Sequence, residues 1–146
     1  MLTAEVKKAL LTADLIITIG NDLRSDDGLG PYIAKNCQSS KILDAFDKPE
    51  NIIEPAIARK PKSVLIIDAA DFGGQVGEAL LVKSENIPDT TLSTHTFPLK
   101  VIAKMIETDA QAEVKFLGVQ PRSVELGETM SVEVKMVAEE IIGAIA

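Results

Sequence analysis

The chain has 146 residues, of which 15 are basic and 22 acidic, which gives a formal net charge of −7 at pH 7. This length fits a single domain over residues 1–146, and an acidic chain with no basic stripe argues against nucleic-acid binding. No apolar run reaches the roughly 18–20 residues of a membrane-spanning helix, and the N-terminus does not have the pattern of a signal peptide, so we expect a cytoplasmic protein.

The first predicted elements are an amphipathic helix and a buried strand. Thr3 is a suitable N-cap, and apolar residues recur at helical spacing from there to about Ala13. Leu15–Ile19 has the length and the β-branched content of a buried strand. The sequence therefore predicts a helix and then a strand ahead of a stretch rich in glycine.

That stretch carries two adjacent acids, Asp26 and Asp27, between the strand and a helix predicted over about Pro31–Gln38. In an open α/β sheet, loops at the carboxyl ends of strands line the ligand crevice. A simpler interpretation is that one of the two acids caps the helix. A dinucleotide-binding turn is excluded, because the G-x-G-x-x-G spacing is absent and the acids would repel a pyrophosphate. The one cysteine, Cys37, falls in the predicted helix and is expected to be a buried thiol.

The middle of the chain alternates predicted strands and helices. Lys41–Phe46 is predicted to be a strand and Ile52–Lys60 a helix. Ser63–Ile67 is a continuous apolar strand, which indicates that helices cover both of its faces. Ala79–Val82 follows too closely for a parallel crossover, so this strand is predicted to be antiparallel or at an edge.

The last third adds a helix, a strand and a second helix. Apolar residues at helical spacing predict a helix from about Pro98, Val114–Val119 is predicted to be a strand, and Val132–Ile145 an amphipathic helix. This alternation predicts an α/β fold, a single-domain three-layer α/β/α sandwich with a mostly parallel sheet of about five strands.

Three side chains are candidates for chemistry: Asp27, Asp68 and His95. If the first and third strands are parallel, Asp27 and Asp68 share the carboxyl edge of the sheet, and His95, the single histidine, can join them. Two carboxylates and an imidazole suit a divalent first-row metal and leave positions open for water or substrate. Taken separately, His95 is explained as a surface or helix-start residue and Asp68 as a turn cap.

Four short motifs occur in order along the chain. They are Gly20-Asn21 with Asp26-Asp27-Gly28-Leu29-Gly30, then Asp68-Ala69-Ala70-Asp71-Phe72-Gly73, then Ser93-Thr94-His95 with Pro98-Leu99, and finally Gly118-Val119-Gln120-Pro121. Together they resemble the signature of the hydrogenase maturation endopeptidases, which trim the C-terminal extension from the large subunit of nickel–iron hydrogenases. Thr18 departs from the pattern, since many members of that family have glycine there.

The resemblance implies that Asp27, Asp68 and His95 are both the catalytic residues and the ligands of nickel. The nickel would be supplied by the substrate, a nickel-loaded large-subunit precursor, and other divalent metals would be able to replace it. Three further residues are predicted to contact the substrate: Gly20, Asn21 and Asp71. The attacking water is either bound to the metal or activated by Asp27 or Asp68 as a general base, and we favour the second, aspartyl-type route. The expected partner is the precursor alone, with the protein itself a monomer.

Two other functions remain open at this level. A receiver-like signalling domain would also carry an acid pair after the first strand and an Asp at the end of the third. Such domains have a Lys after the fifth strand, whereas this chain has Gln120-Pro121. The second alternative is another metal-dependent hydrolase on the same scaffold.

Overall fold

A computed structural model describes residues 1–90 and 98–145 of the chain. Its strands, which form one sheet, are β1 (Leu15–Ile19), β2 (Ile42–Phe46), β3 (Ser63–Ala69), β4 (Ala79–Lys83) and β5 (Glu113–Val119). Their order across the sheet is β2-β1-β3-β5-β4. Four strands run parallel, and β4 pairs antiparallel with β5 at one edge, as its short connection predicts.

Helices cover both faces of this sheet. They are α1 (Ala4–Thr12), α2 (Leu29–Asn36), α3 (Ile53–Ala58), α4 (Leu99–Ala110) and α5 (Val132–Ile145). Three of them, α1, α2 and α5, pack on one face, whereas α3 and α4 pack on the other. The predicted three-layer α/β/α sandwich with a mostly parallel sheet is confirmed.

The central strand β3 explains why the layers form. Leu65 and Ile67 point into the core beneath α1, α2 and α5, while Val64 and Ile66 point into the core beneath α3 and α4. Because both faces are covered, each of these positions is apolar, which produces the uninterrupted run in the sequence. Among the described residues no helix has the length and apolar character to cross a membrane.

Most element boundaries agree with the sequence prediction, but α2 and α3 differ. The helix α2 begins at Leu29, two positions before the predicted start, and its N-cap is Gly28 with no side-chain capping bond. Capping of this helix by Asp26 or Asp27 is therefore wrong. Cys37 is buried as expected, although it lies just past the end of the helix.

The helix predicted over Ile52–Lys60 is shorter than expected. A 3-10 turn at Pro49–Ile52 precedes α3, which ends at Ala58. Lys60 has a left-handed backbone with a φ of 51°, which cannot continue an α-helix. Thr3 caps α1 as predicted, its hydroxyl accepting from the Val6 N–H at 3.2 Å.

The topology fixes where a ligand crevice can lie. β1 stands between β2 and β3 and is parallel to both, so the chain leaves the carboxyl end of β1 toward one side of the sheet and that of β3 toward the other. Such a reversal opens a crevice outside the carboxyl ends of the two strands, where open α/β sheets bind ligands.

Candidate functional site

Asp27 lies in a 3-10 turn, Ser25–Gly28, between β1 and α2. Its side chain is buried, with 2% of the residue exposed. The Asn21 N–H donates to the main-chain carbonyl of Asp27 at 3.0 Å and to its carboxylate Oδ2 at 3.2 Å. The first residues after β1 therefore orient the Asp27 carboxylate.

Two glycines of this stretch are required by close backbone approach. Gly20 has a φ of 154°, and a Cβ at this position would lie 2.0 Å from the carbonyl oxygen of Asp27. A Cβ on Gly30 would lie 2.3 Å from the carbonyl oxygen of Ile19, because α2 crosses directly over the end of β1. These two positions therefore require glycine, because the turn that carries Asp27 and the helix α2 both lie against the end of β1 with no room for a Cβ.

Asp68 is the next-to-last residue of β3, paired with Gly118 of β5, and it is completely buried. The 3-10 turn that carries Asp27 contacts β3. The structure thus brings the elements of Asp27 and Asp68 together at the carboxyl edge of the sheet. His95 lies outside the described residues, and within residues 1–90 and 98–145 no three acidic, histidine or cysteine side chains form a metal-binding cluster.

The neighbouring acid, Asp26, has a structural role that the sequence does not reveal. It is fully buried, and its carboxylate accepts hydrogen bonds from the Arg122 N–H at 2.7 Å, the Ser131 N–H at 2.7 Å and the Ser131 hydroxyl at 2.9 Å. These partners are about a hundred positions away in the chain, so local sequence carries no signal for them. The hydrogen bonds of Asp26 therefore hold the 3-10 turn Ser25–Gly28 against the segment of the chain before α5.

Asp71 lies on the loop after β3 and is exposed. Its Oδ1 accepts hydrogen bonds from Gln120 Nε2 at 3.0 Å and from the Gly73 N–H at 3.2 Å. These two bonds hold the pKa of the Asp71 carboxyl below its usual value. Asp71 is therefore a stable anion at the rim of the crevice.

A further carboxylate at this edge, Asp44, is held beside β1. The Thr18 hydroxyl donates to Asp44 Oδ1 at 3.1 Å, and the Phe46 N–H donates to the same oxygen at 3.2 Å. Partial burial raises the pKa of Asp44, and the charge of Asp22 adds to the effect, although the two hydrogen bonds oppose it. Thr18, the departure from the family pattern, therefore has a definite partner.

The described site has two chemical capabilities. Buried carboxylates at a crevice supply the oxygen ligands that divalent cations take, and a carboxylate can also accept a proton from an attacking water. Asn21 directs its N–H to Asp27, while its Oδ1 accepts from the Leu23 N–H at 2.9 Å. Of the three predicted substrate contacts, Gly20 and Asn21 thus shape the turn around Asp27, and Asp71 is exposed to solvent.

Comparison with known proteins gives a consistent result. A family model described as hydrogenase maturation protease matches residues 32–146. Hydrogenase 3 maturation protease of Escherichia coli K12 is 31% identical over 134 residues, which cover 88% of this chain and 85% of that protein.

Solved structures agree. The crystal structure of the [NiFe] hydrogenase maturation protease HycI from Thermococcus kodakarensis KOD1 superposes with a TM-score of 0.78 at 27% identity, covering 97% of this chain and 99% of that one. The solution structure of the endopeptidase HycI from Escherichia coli has a TM-score of 0.80 at 30% identity, with 90% of this chain and 88% of the other covered.

Proposed function

This chain belongs to the hydrogenase maturation protease family and is a peptide-bond hydrolase, and from that premise we propose that nickel in the substrate directs its cleavage. The reaction is removal of the C-terminal extension from a hydrogenase large-subunit precursor. Nothing in the comparisons supports the two alternatives, a receiver-like signalling domain and another metal-dependent hydrolase on the same scaffold. The nickel is that of the immature subunit, which makes the metal part of the substrate.

The observation that carries this proposal is the pair of buried acids at one sheet edge. Asp27 and Asp68 are 2% and 0% exposed, on elements that contact each other at the carboxyl ends of β1 and β3. Carboxylate oxygens are ligands that divalent cations take, and both of these lie at the edge of the sheet where open α/β folds bind ligands. We assign Asp27, Asp68 and His95 as the groups that hold the precursor's nickel, because two carboxylates and an imidazole leave coordination positions for the precursor's own ligands.

The nickel acts as a recognition signal in this proposal, and other divalent metals of similar ligand preference are expected to replace it. A precursor that has not received its metal offers nothing for Asp27 and Asp68 to hold, so it binds more weakly. Cleavage would then follow metal insertion and never precede it.

Cleavage itself is proposed to use a carboxylate of this chain as the general base. Asp27 or Asp68 takes a proton from a water, and the water oxygen attacks the carbonyl carbon of the scissile peptide. The same carboxylic acid then returns the proton to the departing amine as the C–N bond breaks. The Asn21 N–H helps to hold the Asp27 carboxylate in one orientation for this step, at 3.2 Å from its Oδ2.

We also propose that the protein acts in the cytoplasm and as a monomer. The one cysteine, Cys37, is a buried free thiol, which fits a reducing compartment such as the cytoplasm. A monomer is the simplest form that leaves the carboxyl edge open to a large precursor.

The decisive test is a paired cleavage assay. Purified protein is incubated with nickel-loaded precursor and with the same precursor stripped of nickel, and shortening is followed by mass spectrometry. We expect cleavage of the loaded form only; equal cleavage of both would refute recognition through nickel.

The acids are tested in the same assay by isosteric change. Asp27→Asn and Asp68→Asn are expected to lower cleavage by at least a hundredfold, since a general base contributes roughly 10²–10⁴-fold. The control is Asp109→Asn, which changes an exposed acid near the end of α4. Full activity of either site variant would remove that residue from the proposed chemistry.

A further inference from the structure

The side chain of Gln120, the residue directly after β5, makes three hydrogen bonds to the loop after β3. Gln120 is only 7% exposed. Its Oε1 accepts hydrogen bonds from the Phe72 N–H at 2.9 Å and the Gly74 N–H at 3.1 Å, and its Nε2 donates to Asp71 Oδ1 at 3.0 Å. One amide group thus satisfies three partners on the loop that follows β3, which fixes the conformation of that loop.

Asp71 is the one charged member of this network, and it is exposed. The bonds from Gln120 and from the Gly73 N–H both reach Oδ1, so they hold the carboxylate in one orientation. The main chain of Asp71 is fixed as well, because its N–H donates to the carbonyl of Thr90 at 3.4 Å and its carbonyl accepts from the Thr90 hydroxyl. Exposed acids are ordinarily free to rotate, whereas this one is held three residues after Asp68.

The segment that contains Gln120 also contacts the turn that carries Asp26 and Asp27. Gln120, Pro121 and Arg122 are consecutive, and the Arg122 N–H donates to the buried Asp26 carboxylate at 2.7 Å. Residues 120–122 therefore connect the loop after Asp68 to the turn that carries Asp27. The loop of Asp71 is consequently tied to the turn that carries Asp26 and Asp27.

We propose that Gln120 is a positioning residue and that it holds Asp71 as a preoriented acceptor for peptide N–H groups of the precursor. The inference rests on the proposed function, since it needs a peptide segment lying across the carboxyl edge of the sheet. A peptide that docks there loses water from its backbone N–H groups, and each of these then requires an acceptor. A fixed carboxylate satisfies such a donor without the entropy cost of ordering a mobile side chain.

The first variant for the test is Gln120→Glu, which preserves the size and shape of the side chain. Glutamate can still accept from the Phe72 and Gly74 N–H groups, but it replaces the donor to Asp71 with a repelling oxygen. We expect KM for nickel-loaded precursor to rise about tenfold with kcat within twofold, because a charge-assisted hydrogen bond in binding is lost. Asp71→Asn is expected to raise KM by a similar factor.

The double variant Gln120→Glu with Asp71→Asn separates positioning from simple loop stability. The amide Nδ2 introduced at position 71 can donate to the new glutamate, which restores the bond between the two side chains with reversed polarity, while the anion at that position is gone. The Gly73 N–H then loses its acceptor, because it and Gln120 Nε2 bond to the same Asp71 oxygen in the unmodified protein. We expect the melting temperature to recover most of the loss caused by Gln120→Glu, since the exposed Gly73 N–H can turn to water, and KM to stay about tenfold high. Recovery of KM together with the melting temperature would overturn the proposal.

A matched control comes from the same loop. Gln75 is exposed, and Gln75→Glu introduces the same charge outside the network around Gln120. It is expected to leave KM unchanged, and an equal rise in KM would show that added charge alone explains the result. If unmodified protein cleaves only loaded precursor while the Asp71 variants keep normal KM, this inference fails and the proposed function stands. If unmodified protein cleaves neither form, or both equally, the proposed function fails instead.

Discussion

At the scale of single residues, the two adjacent acids Asp26 and Asp27 differ in where their side chains are bound. Asp26 accepts hydrogen bonds from three donors near α5, whereas Asp27 lies at the crevice, on the turn that contacts β3. Both are buried, so burial alone does not tell them apart. The difference lies in their partners: Asp26 is bound by a distant segment of the chain, and Asp27 by Asn21 close to it in sequence.

This difference predicts unequal losses of stability when the same change, Asp to Asn, is made at either position. Asp26→Asn faces an amide NH2 group toward donors that need an acceptor, so we expect the free energy of unfolding to fall by about 2 kcal/mol, in the range for buried hydrogen bonds to charged groups. Asp27→Asn is expected to change it by less than about 1 kcal/mol, because the amide oxygen of asparagine can still accept from the Asn21 N–H and the change removes a buried charge. Urea denaturation measures both, and a greater loss of stability for Asp27→Asn would contradict the assignment.

A second prediction at this scale concerns pH. Burial raises the pKa of Asp44 in the folded state, so the folded protein favours the protonated form. The contribution of Asp44 to stability is then complete below its unfolded pKa of about 3.9 and is lost as the pH rises through the folded value. Asp44→Asn should therefore be more stable than the unmodified protein at neutral pH, by no more than about 1 kcal/mol since the group is half exposed, and the difference should vanish below about pH 4.

The matched comparison for this titration is Asp71, whose pKa is lowered by its hydrogen bonds from Gln120 and Gly73. The sign is reversed, so its contribution is present above the unfolded pKa and is lost as the pH falls through the folded value. Asp71→Asn should thus reduce stability at neutral pH, with the difference shrinking in acid. Thermal melts across pH 3–8 check both variants, and parallel curves for the two would contradict the assigned causes.

Residue-scale prediction from the sequence succeeded where a motif is local. Asp27 and Asp68 follow apolar strands, and this pattern is enough to expect both at the carboxyl edge. The roles of Asp26 and Gln120 depend on partners elsewhere in the chain, which no spacing rule contains. His95 lies outside the described residues, so its predicted role stays a prediction.

At the scale of elements, the contact of α2 with β1 controls where Asp27 stands. The helix crosses so close to the strand that a Cβ on Gly30 would lie 2.3 Å from the Ile19 carbonyl oxygen and 2.7 Å from the Ile19 nitrogen. Backbone atoms cannot rotate away as a side chain can, so any larger residue forces the helix outward. The turn that carries Asp27 is joined directly to this helix and would move with it.

Gly30→Ala should therefore destabilise the protein by about 1–3 kcal/mol, the usual cost of overpacking a core, and should also reduce cleavage. The control is Gly143→Ala in α5, where a Cβ meets nothing within 4 Å. That change should stabilise by about 0.5–1 kcal/mol, since alanine is the better helix former. Circular dichroism melts of the two variants measure the contrast, and a neutral Gly30→Ala would show that α2 can shift without cost.

Element prediction was accurate for strands and less so for helix starts. A buried parallel strand is marked by its own apolar residues, and all five strands were expected within two residues of their observed bounds. The start of α2 was missed, because a 3-10 turn leads into it and Gly28 caps it without a side-chain bond. α3 was predicted too long, since the left-handed backbone at Lys60 leaves no mark in an apolar pattern.

At the scale of the whole molecule, the two edges of the sheet have different roles. The carboxyl edge carries the turn of Asp27, the end of β3 and the loop of Asp71. The amino edge is closed by local hydrogen bonds, such as Asp14 Oδ2 accepting from the Lys62 N–H at 2.8 Å. A precursor that reaches Asp27 and Asp68 must therefore cover loops of the carboxyl edge and leave the amino edge free.

Exposed leucines at the two edges allow a test of whether the precursor covers the carboxyl edge and not the amino edge. Leu23 and Leu126 lie on adjoining loops of the carboxyl edge, joined by a 2.9 Å bond from the Gly127 N–H to the Leu23 carbonyl, and they are 65% and 66% exposed. Leu11, near the end of α1 at the amino edge, is 63% exposed.

Covering a leucine contributes roughly 1.5–3 kcal/mol to binding, so Leu23→Glu and Leu126→Glu should each raise KM for nickel-loaded precursor about tenfold or more. Leu11→Glu should leave KM unchanged, and all three should melt within a few degrees of the unmodified protein, as surface changes do. A rise in KM for Leu11→Glu equal to the other two would place the precursor elsewhere, because charge alone would then account for the effect.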